Sequence, residues 1–243
     1  MSYRLTAFAN MLERTATIPA SAQLTVCGWF YVAVDRATYT TTFDLMQGTD
    51  ISYYRFLALT PGTAFFLNSH AGNTGNFTPG VGTWHYVAFV SGADGTASAN
   101  ELWYSLAGAG ALTSAGQATS AAAWTPDRIR FGMDWSTGDW LNGGLYNWKV
   151  WSGGTPLTAT QLLAERDSYL PIITSNLWAH YPFLDAGTAA DDISGNARTL
   201  TVSTPGSTEN GGGAPPGAPS AGPPIYEQAG YRFRADDGSL FAP

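Results

Sequence analysis

Residues 82–92 read "GTWHYVAFVSG", and the pattern inside them decides what kind of fold to expect. Successive side chains of a β-strand point to opposite faces. Here Trp84, Tyr86, Ala88 and Val90 form one set, and His85, Val87 and Phe89 the other. Both sets are apolar apart from His85, whereas a strand with one wet face alternates apolar and polar residues. The stretch therefore belongs inside a sheet covered on both sides, or against an extra loop or a partner. His85 reads as a satisfied core histidine, because His70 and His180 stand far from it with no metal-ligand spacing.

Outward from this strand the chain is a series of short apolar segments punctuated by Gly, Pro, Asn and Asp, which marks an all-β protein. Strands are expected at Leu24–Val34, Thr40–Gln47, Tyr53–Leu59, Ala64–Asn68, Trp84–Val90, Glu101–Leu106, Arg128–Gly132 and Leu145–Trp151. One helix is expected at about residues 159–168. Thr158 and Gln161 stand at capping-box spacing, Leu157, Leu162 and Leu163 make an apolar face, and Pro171 stops it. Residues 204–224, "TPGSTENGGGAPPGAPSAGPP", are too rich in Gly and Pro to build a core and read as a linker or extended arm. Aromatics and arginines return in residues 225–243, a docking segment with Tyr226, Tyr231, Arg232, Phe233 and Arg234 as candidate contacts. The expected organisation is a body over residues 1–203, the arm, and this C-terminal segment.

With 44% hydrophobic and 14% aromatic residues, the 243-residue chain can bury a core without disulfides or metals. Charge is scarce: Lys149 is the sole lysine, and the net charge is -7. A nucleic-acid surface needs clustered Lys and Arg, so that partner class is excluded, and a strongly anionic membrane is disfavoured. Cys27, the single cysteine, sits in "LTVCGWFYV" and reads as a buried core thiol. There is no disulfide framework to mark an oxidising compartment. No apolar run is long enough to span a bilayer, so membrane insertion is not expected. The first residues, "MSYRLTAFANMLERT", lack the parts of a secretory signal, and a soluble protein not exported by the usual route is expected.

Three segments taken in order, "GTWHYVAFVSG", "ELWYSLAG" and "RIRFGMDWSTGDWLNGGLYNWKVWSGGTPLTATQLLAE", resemble the laminin-G-like branch of the concanavalin A-like lectin/glucanase superfamily, in its bacterial or phage type. Gly82, Trp84, His85, Val87 and Ala88 follow its "G-x-W-H-x-V-A" strand. Leu141, Gly143, Leu145, Trp148 and Val150 follow its late strand, and Leu157 with Gln161 its helix start. The family's "YPF…D-x-SGN" element is similar to Tyr181, Pro182, Phe183, Asp192, Ser194, Gly195 and Asn196. The resemblance covers about residues 3–203 and implies a jelly-roll sandwich of two antiparallel sheets with one short helix.

That superfamily contains hydrolases and binders. Its glucanases carry Glu-x-Asp-x-x-Glu on a concave-face strand, since retaining hydrolysis needs two carboxylates about 5–5.5 Å apart. The glutamates of this chain, Glu13, Glu101, Glu165, Glu209 and Glu227, nowhere show that spacing. No nucleophile elbow, zinc-protease motif or phosphate loop is present either, so the chain is not expected to be an enzyme.

The candidate binding residues lie in "FGMDWSTGDWLNGG", residues 131–144, where two Asp-Trp pairs flank a Ser-Thr-Gly turn. A tryptophan face stacks on pyranose C–H groups while Asp or Asn accepts hydroxyl hydrogen bonds. Trp135, Trp140, Asp134, Asp139 and Asn142 supply those groups for a glycan. The bland alternatives are a lid on the core with turn-ending aspartates, or a protein contact. The resemblance also raises calcium, with Asp134 and Asp139 as carboxylate ligands. Tyr146, followed by Asn147, replaces the family's late-strand aspartate, which weighs against that ion. Asp191, Asp192 and Asn196 in "DDISGNARTL" read as a turn locked by side-chain hydrogen bonds.

The functional expectation is a non-catalytic recognition or assembly protein, a bacteriophage virion component such as a head decoration, spike or fibre-associated adhesin. Its partners would be cell-surface glycans and virion proteins or further copies of itself, at the virion surface. Two alternatives stay open: a bacterial carbohydrate-binding module at a cell surface, and a capsid-cementing protein without glycan affinity.

Overall fold

A computed structural model of the chain shows two antiparallel sheets enclosing one core, with a helix on the outside of the larger sheet. It describes residues 2–5, 11–15, 18, 24–34, 40–46, 55–60, 64–69, 72–77, 79–91, 98–106, 109–120, 126–133, 140–184, 190–202, 207–209, 225–228, 231–234 and 240–241.

The larger sheet contains β1 (Ser2–Leu5), β3 (Leu24–Val32), β8 (Trp84–Ser91), β9 (Ser98–Leu106), β10 (Thr113–Ser120), β12 (Gly143–Ser152), β13 (Leu177–Tyr181) and β15 (Ser207–Glu209). Their order is β10-β9-β8-β3-β12-β1-β15, with β13 pairing β12 beyond the end of β1. The facing sheet runs β14 (Thr201–Val202), β2 (Leu12–Thr15), β11 (Arg128–Phe131), β4 (Thr40–Met46), β5 (Arg55–Thr60), β6 (Ala64–Ser69) and β7 (Gly72–Phe77). This is the expected jelly-roll sandwich. A small third sheet, β16 (Ile225–Gln228), β17 (Tyr231–Arg234) and β18 (Leu240–Phe241), forms from the C-terminal segment.

The strands expected from apolar runs are present, shifted by a few residues at their ends. The strand at Arg128 stops at Phe131 because Gly132 turns out of it with φ +83, at a place where a Cβ would meet Leu5. The sequence reading missed β1, β2, β7, β10, β13, β14 and β15, and it expected no strands in the C-terminal segment. "GNTGNF" and "TSAGQATS" lie toward sheet edges and carry almost no apolar pattern. Ser207–Glu209, in the Gly/Pro-rich stretch, adds a strand beside β1.

Central strand β12 sets the geometry. Its register against β3 slips by one residue between Tyr146 and Lys149, which is a β-bulge. Asn147 takes φ +53 there. The bulge keeps Tyr146 and Asn147 on the outer side and turns Trp148 inward over Gly28, whose missing Cβ would lie 2.4 Å from the indole. Inside, Trp148 stacks on Phe43 and meets Phe131 edge-on, and its Nε1–H donates to the Trp29 carbonyl.

The outer face of β12, β3 and β8 is as apolar as the inner one. Cys27, Trp29, Trp84, Tyr86, Tyr146 and Trp151 are buried there under Leu157 and Leu162. Leu162 belongs to α1 (Ala159–Arg166), which opens on the expected capping box of Thr158 and Gln161. A buried ion pair fastens this layer: Lys149 Nζ lies 2.8 Å from Glu165 Oε2, with side chains 1% and 0% exposed. Nζ also donates to the carbonyls of Glu165 and Ser168. Glu165 Oε1 accepts from the backbone N–H groups of Ile172 and Ile173.

Breaking one side of such a pair leaves a buried charge unpartnered. Glu165→Ala is expected to cost about 3–5 kcal/mol in urea unfolding. Lys149→Met with Glu165→Gln should recover part of that loss, since the glutamine still accepts from Ile172 and Ile173. An unchanged midpoint for Glu165→Ala would contradict this account.

Candidate functional site

The helix layer closes one outer face to ligands. The edge of the same sheet is closed differently, by the "DDISGNAR" segment. Asp192 Oδ1 accepts from the N–H groups of His180 and Ser194, and Oδ2 from that of Arg198. Asn196 Nδ2 donates to the carbonyls of Leu177 and Trp178, and the Ile193 N–H donates to the His180 carbonyl. Arg198 also donates to the Trp178 carbonyl and lies 4.7 Å over its ring. These bonds satisfy the outer edge of β13, so the segment is the locked turn expected from sequence and also an edge cap.

The sandwich end bearing Met133 and Trp140 is built otherwise. β11 lies in the smaller sheet and β12 in the larger, so their connection crosses the end of the core. Met133 bridges Trp140, and the Leu141 N–H donates to the Gly132 carbonyl. Leu141 is buried as a plug, whereas Trp140 and Asn142 are half-buried at the rim. Two neighbouring loops are tied to it. The Ala33 N–H donates to the Asn142 carbonyl, and the Gly82 N–H to the Val32 carbonyl, both at 2.9 Å. His85 Nε2 holds the second loop through the Gly80 carbonyl at 3.0 Å.

Trp140 and Asn142 thus share one rim. Asp134, Trp135 and Asp139 lie outside the described residues, and with them the calcium expectation. Among the described residues no cluster of three His, Cys, Asp or Glu side chains is arranged to hold a metal. The docking candidates fall in the third sheet, where Tyr226 pairs with Phe233, Gln228 with Tyr231, Glu227 with Arg232, and Ile225 with Arg234.

The register of the smaller sheet shows a row of charges that sequence reasoning missed. Glu13, Arg130, Asp44 and Arg55 are consecutive cross-strand partners on β2, β11, β4 and β5. Glu13 is ion-paired with Arg130, and Arg128 Nε stands 3.9 Å from it. Asp44 is fully buried. The alternation in "RIRF" hinted at one polar face, but a row across four strands exists only once they pair.

Buried titratable groups lie on both sides of the larger sheet. His180 Nε2–H donates to Asn147 Oδ1 at 2.7 Å, the tautomer implied because Asn147 Nδ2 donates to the Ser168 carbonyl. Burial, then the nearby Lys149 charge, holds its pKa well below 6.5. Burial also lowers His85, partly offset by the Gly80 carbonyl. The Cys27 thiol is pushed up to about 12, chiefly by burial, which makes it inert as expected.

The architecture is that of the concanavalin A-like jelly rolls. No protein-family profile and no characterised sequence matches the chain. Among solved structures, it is similar to a Bacteroides ovatus protein described as a candidate carbohydrate-binding protein, at 13% identity and a TM-score of 0.53, over 84% of this chain and 62% of that one. The full-length tailspike protein 2 of an Escherichia coli O157:H7 bacteriophage is similar at 13% identity and a TM-score of 0.51, over 75% of this chain. The chain spans only 26% of that tailspike. Domains LG4-5 of the mouse laminin α1 chain match at 14% identity and a TM-score of 0.42, over 66% of this chain and 43% of that one.

Two histidines buried neutral make stability depend on pH in a defined direction. Their folded pKa values lie below the unfolded value of 6.5, so their contribution is complete above that pH. Below it, each should remove about 1.4 kcal/mol per pH unit until its folded pKa is reached. Urea midpoints between pH 7 and 5 test this, with His180→Gln flattening the slope. Separately, Asp192→Ala strands three backbone donors and should cost about 1–3 kcal/mol. That loss would be read as a lowered Tm with increased light scattering as the β13 edge opens.

Proposed function

We propose that the chain is a non-catalytic recognition protein whose jelly roll binds glycans at the rim formed by residues 33–34, 79–83 and 140–142. The observation that carries this reading is the difference between surfaces. One outer face is sealed by α1 and its flanking segments, and one edge is sealed by Asp192, Asn196 and Arg198. The rim instead presents a half-buried Trp140 beside Asn142, an arrangement suited to stacking on a sugar ring. Asp134, Trp135 and Asp139, which lie between Met133 and Trp140 in the sequence, are proposed as further glycan-binding residues, with the two aspartates as optional calcium ligands.

A bacteriophage virion is the proposed setting, as a head decoration, spike or fibre-associated adhesin. The tailspike likeness in fold is compatible with it, as is the C-terminal sheet, a strand meander too small to hold a core of its own. That sheet would dock on virion proteins or on further copies of the chain through Tyr226, Tyr231, Arg232, Phe233 and Arg234. The Bacteroides ovatus likeness supports glycan affinity equally for a bacterial carbohydrate-binding module at a cell surface.

Two acids of the smaller sheet support the non-catalytic part of this reading. Glu13 is tied to Arg130 and Asp44 is fully buried, so neither offers a free, substrate-facing acid on the smaller sheet.

A glycan array probed with the full-length protein, in calcium and in chelator, tests the proposal. Selective binding is expected, reduced at least tenfold by Trp140→Ala and abolished by Trp135→Ala with Trp140→Ala. Loss of binding in chelator would assign calcium to the aspartates. A folded protein that binds no glycan in either buffer would leave the tryptophans as a lid on the core and favour a cementing role.

A further inference from the structure

Five large aliphatic side chains are more than 40% exposed among the described residues, and three of them gather at the end of the sandwich that carries Trp140. Val34, 50% exposed, follows the Ala33 N–H that bonds the Asn142 carbonyl. Val81, 51% exposed, precedes the Gly82 N–H that bonds the Val32 carbonyl. Leu106, 49% exposed, is the cross-strand partner of His85, on which the 79–83 loop is held. Val34 and Leu106 each stand two positions beyond a residue that packs on the core, Val32 and Tyr104. The apolar lining of the sandwich therefore continues out to its mouth. Backbone hydrogen bonds hold the Val34 and Val81 segments in place, so their methyl groups are presented without further ordering cost.

The described segments 33–34, 79–83 and 140–142 contain no charged residue. A carboxylate-bearing sugar would find no Arg or Lys on these segments to pair with, while losing hydration of its charge.

We infer that the rim selects uncharged sugars bearing a methyl group, 6-deoxyhexoses or N-acetylhexosamines, with Trp140 under the ring and Val34, Val81 and Leu106 against the methyl. This rests on the glycan-binding reading above and adds the class of sugar. One methyl group gained or lost in an apolar contact changes affinity by about tenfold or more.

The test uses full-length protein and polyacrylamide glycoconjugates in matched pairs. These are 6-deoxy-D-galactose against D-galactose, N-acetyl-D-glucosamine against D-glucose, and D-galacturonic acid against D-galactose. At least one methyl-bearing sugar is expected to bind about tenfold tighter than its partner, and the uronic acid weakest of all. Val34→Ser with Val81→Ser, both at exposed positions and checked for folding by circular dichroism, should bring that pair level. Equal binding of all neutral sugars, or preference for the uronic acid, overturns the inference and leaves glycan binding standing. No binding to any conjugate overturns both. Self-association in sedimentation that the double variant abolishes, without sugar binding, would make this mouth a contact between copies and overturn it too.

Discussion

The packing of Trp148 against Gly28 is the constraint on which the rest of the molecule depends. One extra residue in β12 turns the indole inward, and only a glycine on β3 leaves room for it. From there the ring reaches Phe43 and Phe131 of the opposite sheet and joins the two halves of the core. The same bulge sends Asn147 and Lys149 outward, where they hold His180, Ser168 and Glu165. The inner core and the outer helix layer thus hang on one irregularity of one strand.

Polar groups are few in this chain, and several are used as clasps. Lys149 and Glu165 are buried with nearly every donor and acceptor occupied, which is the condition under which a buried ion pair is tolerable. Asp192 and Asn196 act similarly at a sheet edge, replacing a neighbouring strand with side-chain bonds. Each clasp closes part of the larger sheet, one on its outer face and one at its edge. Among the described residues, Val34, Val81 and Leu106 stay exposed at the end of the sandwich that carries Trp140.

Much of this was legible in the residues. The two-faced strand at Trp84–Val90 called for cover on both sides, and the structure supplies it as a second sheet and as α1. Thr158 and Gln161 marked the helix start because capping is local chemistry. Edge strands such as β7 and β10 were not legible, because a strand with little to bury has no apolar period to read. Of the candidate site residues, Trp140 and Asn142 stand on one rim, while Asp134, Trp135 and Asp139 lie outside the described residues. Val34, Val81 and Leu106 carried no signal, because an aliphatic residue reads the same in a core as at its mouth.

By itself the sequence determined the fold class, the helix, the inertness of Cys27 and the residue types at the rim, since all of these follow from composition and from spacing along a few residues. Tertiary structure alone decided which distant groups meet. Lys149 finds Glu165 across a sheet–helix contact, Glu13 lines up with Arg130 and Asp44 across three strands, and the loops at 33, 81 and 140 converge through backbone bonds. Such meetings depend on strand register and order, and a single bulged residue in β12 shifts both faces of the sheet at once.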